Sequence, residues 1–297
     1  MKINTLSKKL VVIILFFFFF FGFIYPISAI TLPYLNKSKV RVSVVPGQQE
    51  YGDIVIENST PDERAMQLYL EDWRYLPICD GSKDFLPANT LANSAASWIT
   101  FSPAEFIVPA FGRQRISYSI KAPANASGGY YAVLFFEMIA GKIPAPDKNQ
   151  TSASVNLAIR IASLFYVEAD GTIKRTAVID NIAFKKDDAG AFSIQADFAN
   201  TGNVDITAGG TFHIMDKEGL IYARGEFSNA YSFAGDKGKL VATWKNKIPK
   251  GRYDLILTVD LGKALEEANL GRGPVVTREF EIEINEKGEI VEFKNSA

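Results

Sequence analysis

Ser154-Val-Asn-Leu-Ala-Ile-Arg-Ile-Ala-Ser-Leu-Phe-Tyr166 alternates large apolar residues with small or polar ones. Successive side chains of an extended chain point to opposite faces. Val155, Leu157, Ile159, Ile161 and Phe165 therefore share one face, and Asn156, Ala158, Arg160 and Ala162 the other. The run is well beyond the usual strand length of about five or six residues, so it is expected to project past the sheet that holds it. An overlong strand with one apolar face can bind a second chain by adding to an open edge or filling a groove. Val155, Leu157, Ile159, Ile161 and Phe165 are accordingly the candidate binding residues.

On either side of this segment the chain reads as short strands separated by turn residues. Val40–Val45 alternates and stops at Pro46-Gly47; Asp53–Asn58 follows, and Met66–Trp73 alternates again. Arg74–Ser97 carries Pro77, Gly81 and Pro87 and is expected to cross irregularly from one sheet to another. Strands are then expected at Trp98–Phe101, Glu105–Val108 and Gln114–Ile120, with Gly129–Glu137 apolar enough to be buried on both faces. Residues 140–153 are expected to form a loop, and Glu168-Ala-Asp-Gly171 a boundary. Beyond it, strands are predicted at Thr176–Phe184, Ala191–Phe198, Gly210–Met215, Leu220–Ala223, Leu240–Trp244, Tyr253–Val259 and Val275–Ile284, with one short helix at Lys263–Asn269. Strands at this spacing point to an all-β chain of two immunoglobulin-like β-sandwiches in tandem, at residues 30–169 and 170–297. A Cys-Trp-Cys framework is absent, because Cys79 is the sole cysteine.

Residues 1–29 read as a signal peptide: Lys2, Lys8 and Lys9, then the apolar run Leu10–Tyr25, then Pro26 and a small-residue site at Ile27-Ser-Ala29. The alternative is an uncleaved anchor. After removal of this segment no apolar run approaches a membrane span, and the expected location is the periplasm or the cell envelope. Lys and Arg total 32 against 33 Asp and Glu, with no basic stripe, so nucleic acid is not the expected partner. Asn36, Asn58, Asn125 and Asn149 begin Asn-x-Ser/Thr triplets, which matter only in a host that glycosylates them.

Catalytic signatures are missing. His213 is the single histidine and lies in a strand, and no Gly-x-Ser-x-Gly elbow accompanies it. One His and one Cys cannot build a zinc site. Asp80-Gly-Ser-Lys-Asp84 lacks the remaining ligands of a calcium loop, and Gly271-Arg-Gly273 lacks the Lys-Ser/Thr of a phosphate loop. The expectation is a binding protein without enzymatic activity, cofactor or metal. Trp73 and Trp98 are read as core residues, or as platforms that stack on sugar rings.

Several motifs carry a resemblance. Pro46-Gly47, Asp53-Ile-Val-Ile-Glu-Asn58, Phe101-Ser-Pro103, Phe106-Ile-Val-Pro109, Gly129-Tyr-Tyr131 and Leu164-Phe-Tyr166 resemble, in order and spacing, the N-terminal domain of periplasmic pilus-assembly chaperones. That resemblance implies a client subunit captured by strand addition along residues 154–166. It also implies two basic residues in the cleft between domains that hold the client's terminal carboxylate. Ser163 stands where one of them is expected, leaving Arg160 and Arg41 as candidate anchors. Glu71-Asp72-Trp73, Trp98, Ser102-Pro-Ala-Glu-Phe106 and Gly129–Glu137 are similar to WxL-associated peptidoglycan-binding proteins, which implies an adhesion module for peptidoglycan or a surface protein. Those proteins usually carry a C-terminal membrane segment, whereas Val291–Ala297 is polar, which favours a free periplasmic protein.

Overall fold

Alternating sequence becomes strand almost throughout the structure, a computed structural model that describes residues 31–143, 155–186, 191–267, 270 and 273–295. The first ten strands are β1 (Tyr34–Leu35), β2 (Lys39–Val44), β3 (Gln49–Glu57), β4 (Arg64–Tyr75), β5 (Lys83–Pro87), β6 (Ile99–Ser102), β7 (Glu105–Val108), β8 (Arg113–Lys121), β9 (Gly129–Ile143) and β10 (Val155–Ala169). They form a sheet ordered β1-β3-β8-β6 facing one ordered β2-β10-β9-β4-β5, with β7 joining β4. The next eight are β11 (Ala177–Lys186), β12 (Phe192–Asn200), β13 (Ile206–Met215), β14 (Ile221–Ser232), β15 (Lys237–Trp244), β16 (Gly251–Asp260), β17 (Val275–Ile284) and β18 (Ile290–Asn295). They form the sheets β11-β12-β15 and β14-β13-β16-β17-β18. The fold is all-β, two immunoglobulin-like sandwiches; among the described residues the helices are a 3-10 turn at Ala96–Trp98 and one short α-helix, α1 (Lys263–Glu267), between β16 and β17.

Each sandwich is held by the inward residues of its alternating strands. In the first, Ile54 and Ile56 of β3 and Ile116 and Ile120 of β8 are fully buried against Leu134 and Phe136 of β9 and Phe165 of β10. In the second, Ile194 and Phe198 meet Phe212, Ile214, Leu255 and Leu257. Strand β9 is buried on both faces: Leu134 and Phe136 enter the first core, while Tyr131, Val133 and Phe135 belong to a separate aromatic cluster on the outer face of the same sheet.

Three local expectations need correcting. Arg74–Ser97 is not irregular throughout, because Lys83–Pro87 pairs with β4 from Glu71 to Tyr75. The segment expected as a loop from residue 140 continues β9 as far as Ile143, and residues 144–154 lie outside the described residues. The polar ending contains a strand, β18, which pairs with β17. The expected signal peptide also lies outside the described residues. Among the described residues no helix is long and apolar enough to cross a membrane.

Candidate functional site

Strand β10 has unequal neighbours. On one side it pairs antiparallel with β9 from Val155 to Glu168. On the other, β2 runs parallel to it only from Leu164 to Ala169, because β2 begins at Lys39. From Val155 to Ala162 no strand among the described residues covers that side. At about 3.3 Å per residue this leaves roughly 25 Å of open edge. Leu164 donates its N–H to Ser38 across the β2 side (2.9 Å). Backbone groups alternate sides along a strand, so the N–H and C=O of Ala162, Arg160 and Ala158 face the open edge.

The candidate side chains distribute unevenly along this strand. Ile159 and Ile161 are half-buried and pack against the first core, on the same face as Phe165. Phe165 is 0% exposed and meets Tyr118 edge-on, so it presents no surface to another chain. The backbone of Val155 and Leu157 is strand, but their side chains lie outside the described residues. A register shift between Leu157 and Ala158 interrupts the ladder with β9.

Neither candidate anchor presents an unpaired charge to the cleft. Arg160 lies on the outer face of the sheet, 4.4 Å above the Phe135 ring and 3.3 Å from both Tyr69 Oη and Glu71 Oε1. Arg41 does line the cleft between the sandwiches, but its guanidinium is already bidentate to Asp205 (Nη1 3.0 Å, Nη2 2.6 Å) and bonded to Glu168 (2.5 Å). Arg175 completes the cluster with a second 2.5 Å contact to Glu168. Burial alone would lower the Arg41 pKa; the charge and hydrogen bonds of Asp205, then those of Glu168, more than offset it and drive it upward. Ser163 is buried, and its Oγ donates to the Lys37 carbonyl (2.9 Å).

The cleft is about 520 Å³ in volume, with Lys37, Lys39, Arg41, Tyr75, Tyr166 and Tyr231 on its walls. Lys83 Nζ lies 5.7 Å from the Tyr75 ring, and burial, then the Lys39 charge, pushes the Lys83 ammonium down. Lys37 Nζ donates to the Asp53 carbonyl (2.9 Å), and Arg41 is balanced by its two carboxylates.

The sequence did not reveal how the sandwiches are joined. Phe233, in the turn after β14, stacks on Tyr131 (3.9 Å, 13°) and meets Trp73 at 5.0 Å. Trp73 is fully buried and donates its indole N–H to the Ala132 carbonyl (3.0 Å). The hydroxyl of Tyr131 accepts the Asp205 N–H (2.6 Å). Gly128, at a φ of 85°, sits where the Asn203 carbonyl occupies the place a Cβ would take. Trp98 packs against the first core and against Tyr130, ring centroids 4.0 Å apart. A buried Trp73 cannot stack on a sugar. His213 is half-buried in β13, opposite Arg224 and Ile256. Among the described residues no group of three or more His, Cys, Asp or Glu could hold a metal ion.

No protein-family model and no curated protein sequence matches the chain. Among solved structures it is similar to the class 5 fimbriae chaperone CfaA: 12% identity, TM-score 0.45, covering 83% of this chain and 98% of that one. It is also similar to a Salmonella enterica SafA pilin–SafB chaperone complex (10% identity, TM-score 0.40, 86% and 98% covered). The E. coli chaperone DraB is a third (10% identity, TM-score 0.38, 90% and 96% covered).

Proposed function

We propose that this chain is an exported, non-enzymatic assembly chaperone that captures a protein subunit by strand addition along the open edge of β10. The observation that carries the reading is the late start of β2, which leaves Val155–Ala162 paired on one side only. Main-chain hydrogen bonds to Ala158, Arg160 and Ala162 would supply affinity, and Ile159 and Ile161 the register. The motifs shared with pilus-assembly chaperones support the same reading. A client's terminal carboxylate would be met in the cleft by Lys37, since Arg41 is paired and Arg160 lies on the outer face.

Proline at an edge position removes one outward N–H and leaves the partner ladder intact, so Ala162→Pro tests the edge directly. A client carbonyl left unpaired costs about 1–3 kcal/mol, or roughly 5- to 150-fold in Kd. The client is obtained by purifying the tagged full chain from its native envelope, and binding is then measured with purified components. Ala162→Ser, which keeps the N–H, should bind as the wild type does. Equal affinity of Ala162→Pro and wild type would falsify strand addition at this edge. Retention of the wild type on purified peptidoglycan, unaffected by Ala162→Pro, would support an adhesion module instead.

A further inference from the structure

The second sandwich has an opening of its own between two sheet edges. Strand β14 pairs only with β13 and β15 only with β12, so each is an edge strand among the described residues. Between Ile221–Arg224 of β14 and Thr243–Asn246 at the end of β15 lies a groove of about 470 Å³. Ile221 is 45% exposed on its wall, and the adjoining Leu220 is 60% exposed. Strand edges with outward main-chain groups beside apolar side chains are templates for a further strand.

The charges of the groove specify what it would take. Its walls carry Arg224 and Lys245, both exposed, and no carboxylate. No carboxylate pairs with either cation among the described residues. Elsewhere on the same sandwich the cations are paired: Lys217, in the turn before β14, with Glu281 and Arg252 with Glu283. Trp244 adds an independent sign. It lines the groove and stacks on Phe192, yet its indole N–H is buried without an acceptor among the described residues. A buried indole N–H ordinarily finds a partner.

We propose that this groove is a second binding site, which takes an extended acidic peptide segment by strand addition. The peptide backbone would pair with an edge strand, its alternate apolar side chains would rest on Ile221, and its carboxylates would meet Arg224 and Lys245. The site shares no residue with the β10 edge, so Ala162→Pro should leave it unchanged.

The test is titration of the full chain with an acetylated hexapeptide alternating Glu and Val, and with its Lys–Val counterpart, followed by tryptophan fluorescence and calorimetry. Saturable binding of the Glu peptide alone is expected, weakening as salt rises from about 50 to about 500 mM. Arg224→Glu with Lys245→Glu should weaken it roughly tenfold or more and transfer preference to the Lys peptide. Trp244→Phe, which keeps the packing and removes the N–H, should weaken it several-fold and serves if the charge reversal fails to fold. No saturable binding of the Glu peptide, equal binding of both peptides, or full affinity in both variants overturns the proposal. So does a wild-type dimer in sedimentation that the charge reversal dissolves, which would make a second copy the occupant.

Discussion

Asp205→Ala tests what locks the sandwiches together. The side chains of Arg41 and Asp205 are 7% and 1% exposed, and the cluster balances two guanidiniums, Arg41 and Arg175, against two carboxylates, Asp205 and Glu168. Removing Asp205 leaves a buried excess positive charge with one carboxylate shared between two cations. Breaking a buried pair from one side costs about 3–5 kcal/mol, a large part of a typical total of about 5–15 kcal/mol. With a urea slope of about 3 kcal/mol per M, the unfolding midpoint should fall by roughly 1–1.7 M. The double variant Arg41→Met with Asp205→Leu keeps Glu168 and Arg175 as a balanced pair and should recover most of the loss, because apolar replacement of a buried pair is often near neutral. A single-variant loss below about 1 kcal/mol, or a double variant no better than the single, would refute the assignment of this cluster as the lock.

Phe233→Ala removes the ring stacked on Tyr131 and should cost about 3–5 kcal/mol; the fluorescence of Trp73 should shift to the red as water reaches it, and an unshifted spectrum would count against Phe233 as its cover. Cys79 is 3% exposed, and burial, then the charges of Asp236 and Asp80, pushes its thiol pKa up. Its reaction with a thiol reagent at neutral pH should be far slower in the native protein than in urea. Because the folded pKa is the higher one, its stabilising contribution is complete below the unfolded value of about 8.5 and is lost as pH rises toward the folded value. Stability should therefore decline above about pH 8.5, and Cys79→Ala should flatten that decline.

Alternation along β10 correctly put Ile159, Ile161 and Phe165 on one face. Periodicity does not say which stretch of a strand is covered, and Phe165 lies where β2 and the first core close over it. The opposite face carried the less visible information. Leu164 and Tyr166 pack with Trp73 and Phe233 rather than with solvent, and no local pattern shows that a second body covers that side. The ionic cluster was invisible for a related reason: Arg41 and Asp205 are 164 residues apart, and a charge inside an alternating strand reads as an exposed position until its partner is placed. Strand β14 was legible only at its first residues, because Gly225 and Asn229 interrupt its pattern before Ser232. Strand β18 was lost among the charges of Ile290–Asn295, which suit an outer strand paired on one side only.

The separation of Arg41 and Trp73 from their covers has a consequence for how the chain is made. Synthesis runs from the N-terminus at about 5–20 residues per second. The first sandwich is complete at Ala169, yet Asp205 and Phe233 come later, and the turn that carries Phe233 closes when the Phe233 N–H donates to the Asp236 carboxylate. For roughly 3–13 seconds a growing chain would hold a finished first core whose aromatic flank, Trp73 with Tyr131 and Tyr166, is still bare, and whose Arg41 has only Glu168. That interval is when the nascent protein itself most needs a protector, and the arrival of residues 205 to 236 ends it.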